Sequence, residues 1–180
     1  RCHVVRSRAD GIIAGLDHQA RARLIWCSND ARSAPIQPPK RIFVEVYGII
    51  PARMGSSRFP NKPLAPILGM PMIGHVYHRA LNAKRLKEVW VATCDREIYD
   101  YVRSIDGNAV MTADTHERAT DRTAEALSNI EAIQGHEIEA VLMVQGDEPM
   151  LVPSELDDLV HAAEDAPDAA AANLIVKIDS

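Results

Sequence analysis

Residues 41–63 read RIFVEVYGIIPARMGSSRFPNKP, an apolar segment that runs directly into a loop rich in glycine, serine, proline and cations. The segment Arg41–Ile50 is dominated by β-branched and aromatic side chains, and Pro51 follows it at once. This composition predicts a buried β-strand over Arg41–Ile50. The position of this strand in the fold determines where the cationic loop emerges.

Outward from this strand, strand and helix patterns alternate along the chain. Further strands are predicted at residues 88–94, 108–112, 139–146 and 170–178. Helices are predicted at residues 70–83, 95–105, 120–133 and 153–165, with Asp95 and either Thr120 or Asp121 as capping residues. The alternation predicts an α/β fold, a doubly wound, mostly parallel sheet with helices on both faces. Ligands of such sheets bind beyond the carboxyl ends of the strands.

The composition narrows the classes of function. The 180 residues suit one domain, and a hydrophobic fraction of 47% supplies its core. No apolar run reaches the roughly 20 residues of a membrane helix, and 25 acidic against 20 basic residues argue against nucleic-acid binding. Three cysteines without a C-x-x-C pair indicate the reducing cytoplasm. We expect residues 1–40 to be a poorly packed or disordered extension, and residues 41–180 to be a C-terminally incomplete domain.

Three cations, Arg53, Arg58 and Lys62, follow the opening strand within one short loop. Gly55 gives this loop backbone freedom, and Ser57 adds a hydroxyl group. Arginine forks and a lysine point charge suit the oxygens of a triphosphate, although the spacing is not that of a P-loop. A solvated basic loop explains the same composition, so both interpretations stay open.

Two carboxylates, Asp147 and Glu148, follow the strand predicted at residues 139–146. Mg²⁺ prefers one or two carboxylates together with phosphate oxygens of a substrate. An acidic pair in an ordinary turn is the alternative interpretation. Because the pair shares a sheet edge with the cationic loop, the sequence favours a metal site.

A third polar motif, HERATDRTAEA, places Arg118, Asp121, Arg122 and Glu125 at the start of a helix. The N-terminus of a helix attracts anions. Capping by Thr120 together with surface charge pairs explains these residues equally well.

Four motifs resemble, in order and separation, those of the CMP-KDO synthetases, the 3-deoxy-manno-octulosonate cytidylyltransferases: IIPARMGSSRFPNKPLAPILGMPMIGHVYHRA, VWVATCDREI, MTADTHERATDR and MVQGDEPML. The resemblance covers Val46 to Ile178. It implies a Rossmann-like fold of the nucleotide-diphospho-sugar transferase type. It also implies a homodimeric nucleotidyltransferase that uses CTP and Mg²⁺ to activate an acidic sugar, such as KDO for lipopolysaccharide, with release of pyrophosphate.

The resemblance implies a role for each residue that matches a motif. The implied catalytic residues are Arg53, Lys62 and Asp147, the last of which would hold Mg²⁺. The implied nucleotide ligands are Ala52, Arg53, Ser57, Arg58, Lys62 and Gln145, and the implied substrate contacts are Arg122 and Gln145.

Two departures from the family pattern keep alternatives open. Arg118 and Ala119 stand where the family usually has a Ser-Gly pair, so a nonulosonate or a phosphonate remains an alternative acceptor. The family's second metal-binding aspartate, in an Asp-x-Pro-Glu-Asp-like motif, has no counterpart in this sequence. A non-catalytic nucleotide-binding domain and a fragment of a longer enzyme are therefore alternatives too.

Overall fold

The computed structural model of the protein describes residues 3–6, 45–55 and 59–165. The strands are β1 (His3–Arg6), β2 (Val46–Ala52), β3 (Pro66–Ile67), β4 (Met70–Pro71), β5 (Leu86–Thr93), β6 (Asn108–Met111) and β7 (Ala140–Met143). The helices are α1 (Met72–Ala80), α2 (Arg96–Ser104), α3 (Ala119–Gln134) and α4 (Pro153–Asp165), and a 3-10 turn spans Lys62–Leu64.

The central sheet has the strand order β1-β7-β2-β5-β6. Strands β7, β2, β5 and β6 run parallel, whereas β1 pairs with β7 in the antiparallel direction. The chain moves from β2 through β5 to β6 and then returns, so that β7 lies on the other side of β2. The order of the strands therefore reverses between β2 and β7, which is where open α/β sheets place their ligands.

Helices cover both faces of this sheet. Tyr47 and Ile49 of β2 pack in one buried cluster with Ala126 and Ile130 of α3. Ile50, the next residue along β2, lies in a second cluster that contains apolar side chains of α1, α2 and α4. The alternation follows the two-residue period of a pleated strand. The predicted doubly wound α/β fold is confirmed.

The opening strand differs from its predicted boundaries. It continues through Pro51 to Ala52. Pro51 lacks an N–H, and this is tolerated because β2 pairs with β7 only as far as Ile49. The carbonyl of Ile49 accepts the Val144 N–H, which shows that its backbone groups face β7. The backbone nitrogen of Pro51, two residues later, faces the same side, where the pairing has already ended. Residues 41–44 of the predicted strand lie outside the described residues, as does the strand predicted at residues 170–178.

The N-terminal region also differs in part from the prediction. Residues 3–6, which were expected to belong to a poorly packed extension, form strand β1 at the edge of the sheet. For residues 7–40 that expectation stays a prediction, because they lie outside the described part of the chain. Among the described residues, no helix combines the length and the apolar character that crossing a membrane requires.

The predicted N-cap position is confirmed for α2, although without a capping hydrogen bond, and is wrong for α3. Asp95 occupies the N-cap position of α2, but its side chain does not cap that helix. Its carboxylate instead accepts a hydrogen bond from the Met54 N–H at 2.7 Å, across the sheet edge. Helix α3 begins at Ala119, before Thr120, and Arg118 holds the N-cap position without a capping hydrogen bond because a guanidinium has no acceptor.

Candidate active site

A cleft of about 820 Å³ opens where β2 and β7 end. Six of the residues implied by the motifs line it: Ala52, Arg53, Lys62, Arg122, Gln145 and Asp147. The other two implied ligands, Ser57 and Arg58, lie outside the described residues. The structure therefore brings together every implied site residue that it describes.

An ion pair joins the two walls of the cleft. Lys62 Nζ lies 2.9 Å from Asp147 Oδ2, and the two side chains are 36% and 56% exposed. Lys62 comes from the segment after β2, where Asn61 adopts a left-handed conformation (φ 61°) and its N–H donates to the Met54 carbonyl. Exposed ion pairs contribute about 0–1 kcal/mol to stability. The pair is therefore open to exchange with charged groups of a ligand.

Gly146 allows the β7 wall to approach the β2 wall. A Cβ atom at this position would stand 2.8 Å from the carbonyl oxygen of Pro51, closer than such atoms pack. Glycine at this position is therefore required by a close approach of two backbones. The approach fixes the start of the segment that carries Asp147.

Arg122 is a buried cation on the third side of the cleft. Only 2% of it is exposed, and its guanidinium donates to the Thr112 hydroxyl, to the Ala113 carbonyl at 3.2 Å and to the His116 carbonyl at 3.4 Å. These partners, among the described residues, are all neutral oxygens. Hydrogen bonds offset part of the cost of burying the charge, and no carboxylate in that set neutralises it.

Arg53 reaches the same carbonyl from β2. Its Nη1 donates to the His116 carbonyl oxygen at 3.3 Å, and its side chain is exposed to the cleft. Two arginines from different elements thus converge on one backbone oxygen. The sequence predicted both cations but gave no sign that they share an acceptor.

Glu125 organises the loop that supplies this acceptor. Both of its carboxylate oxygens accept the Ala113 N–H, at 3.1 and 3.0 Å, and one also contacts His116 Nε2. The Ala113 N–H and then the His116 ring lower the pKa of the Glu125 carboxyl, because both stabilise its ionised form. Surface charge pairs were one of two interpretations left open for this motif; Glu125 does pair with His116, but it also accepts the Ala113 N–H. The sequence gave no sign of this second contact beyond a glutamate three residues after Arg122.

Asp147 is suited to holding a hard cation in company with phosphate oxygens. Its side chain is exposed to the cleft, and Mg²⁺ characteristically takes one or two carboxylates plus substrate oxygens. Within residues 45–55 and 59–165, no cluster of three or more histidine, cysteine or acidic side chains could hold a metal ion without a substrate. The donor set fits an ion that arrives with a phosphate ligand.

Comparison with known proteins agrees with this geometry. Residues 47–180 match the family model described as "Cytidylyltransferase". A 3-deoxy-manno-octulosonate cytidylyltransferase of Escherichia coli is 44% identical over 119 residues, covering 66% of this chain and 46% of that protein. An 8-amino-3,8-dideoxy-manno-octulosonate cytidylyltransferase of Shewanella pealeana is 47% identical over 116 residues, covering 64% of this chain and 46% of that protein.

A solved structure agrees as well. A CMP:2-keto-3-deoxy-manno-octonic acid synthetase in complex with CTP superimposes with a TM-score of 0.61 and 42% identity, over 68% of this chain and 48% of that one. The chain spans about half the length of the curated relatives it matches. The resemblance drawn from the four motifs is confirmed.

Proposed function

Because this chain belongs to the cytidylyltransferase family, we propose that its cleft binds CTP with Mg²⁺ and that the protein transfers a cytidylyl group to an acidic sugar, releasing pyrophosphate. The observation that carries the proposal is the Lys62–Asp147 pair at 2.9 Å. It sets a cation from the 3-10 turn after β2 against a carboxylate from the segment after β7. A triphosphate and its metal ion need both kinds of group at one place.

The roles of the residues follow from their chemistry and position. Arg53 and Lys62 would bind the β- and γ-phosphates and offset the charge that grows on the departing pyrophosphate. Asp147 would hold Mg²⁺, which when bound neutralises triphosphate charge and favours attack at the α-phosphorus. Gln145, beside Asp147 in the cleft, would hydrogen-bond the nucleoside, and Arg122 would contact the nucleotide or the sugar.

In this reaction the anomeric hydroxyl of the sugar forms a bond to the α-phosphorus, and the bond to the β-phosphate oxygen breaks. The proton of the hydroxyl leaves to solvent or to a carboxylate, and the electron pair departs with pyrophosphate. Such chemistry depends mainly on positioning and on charge stabilisation. The cations and the carboxylate of the cleft would position the triphosphate and stabilise the charge that develops on it.

The proposed acceptor is KDO or a closely related ulosonate. Relatives that act on 3-deoxy-manno-octulosonate and on its 8-amino derivative match the chain with similar identity, 44% and 47%. The matched region therefore does not distinguish the two sugars. The alternative acceptors, a nonulosonate or a phosphonate, are separated by measuring CTP-dependent pyrophosphate release with each acid. We further propose a homodimer in the cytoplasm, which analytical ultracentrifugation and fractionation of the source cells would test.

Lys62→Ala and Asp147→Asn test the proposal directly. Each removes one preorganised charge, and we expect CTP-dependent pyrophosphate release to fall by about 100-fold or more. The matched control is Lys84→Ala, which removes an exposed lysine outside the cleft and should leave the rate unchanged. Normal rates in both cleft variants, with the fold intact, would rule out the site.

Calorimetric titration of the unmodified chain with CTP and Mg²⁺ separates binding from turnover. Binding without pyrophosphate release for any acceptor would support the alternative of a non-catalytic nucleotide-binding domain. Absence of binding under conditions where the chain is folded would contradict both functions.

A further inference from the structure

Glu125 connects helix α3 to the loop formed by residues 112–118, here called the β6–α3 loop. Its carboxylate accepts the Ala113 N–H with both oxygens and contacts the ring of His116. We propose that Glu125 is a positioning residue of the nucleotide site, which fixes the β6–α3 loop so that its carbonyl groups hold Arg53 and Arg122 in the cleft. The inference rests on the proposed function.

The contacts form a continuous path from Glu125 to both arginines. Glu125 is bonded to Ala113 and to the side chain of His116. The carbonyl of Ala113 accepts from Arg122, and the carbonyl of His116 accepts from Arg122 and from Arg53. The two residues that Glu125 holds therefore supply the Arg53 acceptor and two of the three Arg122 acceptors, the third being the Thr112 hydroxyl.

Polar contacts, and not apolar burial, hold most of this loop. Residues 113–115 and 117–118 are exposed, and only Thr112 at its start is buried. The Thr112 N–H donates to the Thr93 carbonyl at 2.9 Å, which secures the first residue alone. Beyond that point, the side chains that hold the loop among the described residues are Glu125, Arg122 and Arg53. Removing the carboxylate leaves only the two guanidinium groups that the loop is meant to orient.

Precise placement of the arginines matters because phosphate recognition by a guanidinium fork is geometric. Charged groups in a site must be held within about 0.5 Å of their productive positions. A displaced β6–α3 loop would free Arg53, which is exposed and has the His116 carbonyl as its hydrogen-bond partner in the described structure. The loss should grow with the number of phosphates that the ligand carries.

Glu125→Gln tests the inference, with Glu131→Gln as a matched control. Glu131 lies on the same helix, and its carboxylate accepts the Ile138 N–H at 2.8 Å, outside the cleft. We expect Glu125→Gln to weaken binding of CTP with Mg²⁺ by about 10-fold, which corresponds to about 1.4 kcal/mol, and binding of CMP by less than about 3-fold. Glu131→Gln should leave both affinities within about 2-fold of the unmodified chain. Hydrogen exchange should quicken at Ala113 in the first variant and at Ile138 in the second.

Three outcomes would overturn the inference: an unchanged CTP affinity in Glu125→Gln, an equal loss for CTP and CMP, or unchanged exchange at Ala113. If the unmodified chain binds no CTP, the proposed function fails, and the exchange at Ala113 still decides whether Glu125 holds the loop. If Glu125→Gln does not fold, His116→Ala replaces it, because this change keeps the carbonyl and removes only the ring contact. It should weaken CTP binding in the same direction by about 3-fold, and an affinity equal to that of the unmodified chain would then overturn the inference.

Discussion

Gly146 occupies a position where one methyl group would collide with a neighbouring strand. The nearest atom is the carbonyl oxygen of Pro51, which belongs to the backbone of the central strand and cannot rotate away. Any relief must therefore come from the segment after β7, which carries Asp147. Stability and ligand geometry are linked at this residue.

We expect Gly146→Ala to lower the free energy of unfolding by about 1–3 kcal/mol, because the added atom overpacks the junction. It should also weaken binding of CTP with Mg²⁺, since Asp147 moves away from Lys62. Denaturation in urea and calorimetry measure the two effects. Gly55→Ala is the comparison for stability: its Cβ would meet nothing within 4 Å, and the free energy of unfolding should stay within about 0.5 kcal/mol. Equal stability of the two variants would contradict the close approach.

At the scale of elements, the loops that follow β2 and β6 are both tied down by carboxylates from other parts of the chain. Asp95, after β5, accepts the Met54 N–H beside Arg53, and Glu125, in α3, accepts the Ala113 N–H. Neither loop has regular secondary structure at these points. The carboxylates therefore substitute for the ladder hydrogen bonds that end with the strands.

We expect Asp95→Ala to lower the free energy of unfolding by about 1–3 kcal/mol, because it leaves the Met54 N–H without its acceptor. It should also weaken CTP binding, because Arg53 is the neighbour of Met54. Asp157→Ala is the matched control, since Asp157 accepts the Arg85 N–H at 2.8 Å away from the cleft. A similar loss of stability with normal CTP affinity is expected there. Equal affinities in the two variants would show that the Asp95 contact does not reach the site.

The elements themselves could largely be predicted from sequence, and the contacts between loops could not. Composition, apolar runs and helical spacing predicted strand β5 and the helices α1 and α4 close to their observed bounds, whereas β7 was predicted to continue to residue 146 and ends at Met143. The hairpin of β3 and β4 was missed because its two-residue strands are too short to show a period. Asp95 was assigned to its own helix because a local cap is the commonest use of such a residue, whereas its partner is 41 residues away.

At the scale of the whole molecule, acid should weaken the fold through Glu125. Its folded pKa lies below the usual value of 4.5, because of the Ala113 N–H and then the His116 ring. A carboxyl whose pKa is lowered by folding stabilises the protein fully above its unfolded pKa, and this contribution is lost as the pH falls through the folded pKa.

We therefore expect the difference in unfolding free energy between the unmodified chain and Glu125→Gln to be present at pH 7 and to shrink as the pH drops below 4.5. Urea denaturation of both proteins across that range measures it. A difference that stays constant down to the lowest pH at which both remain folded would show that the ionised form of Glu125 has no special place in the fold.

That the implied residues would meet in one cleft was predictable, and the contacts among them were not. The motifs implied roles for Arg53, Lys62 and Asp147, and the fold brings the three side chains to one cleft. The sequence did not predict that the strand order reverses beside β2. This reversal depends on the pairing of β2 with β7, which lie far apart in the chain. The shared acceptor of Arg53 and Arg122 depends on that same arrangement.

The ion pair between Lys62 and Asp147 gives each of these two charges in the cleft a counterion from the protein itself. A ligand that is only negatively charged must break the ion pair to bind Lys62, which leaves Asp147 without its counterion. A ligand that is only positively charged binds Asp147 and leaves Lys62 without its counterion. Under the proposed function, a nucleotide bound to its metal ion would replace both partners of the pair at once. We therefore expect the ion pair to favour ligands that carry both charges, by no more than the roughly 1 kcal/mol that such an exposed pair contributes.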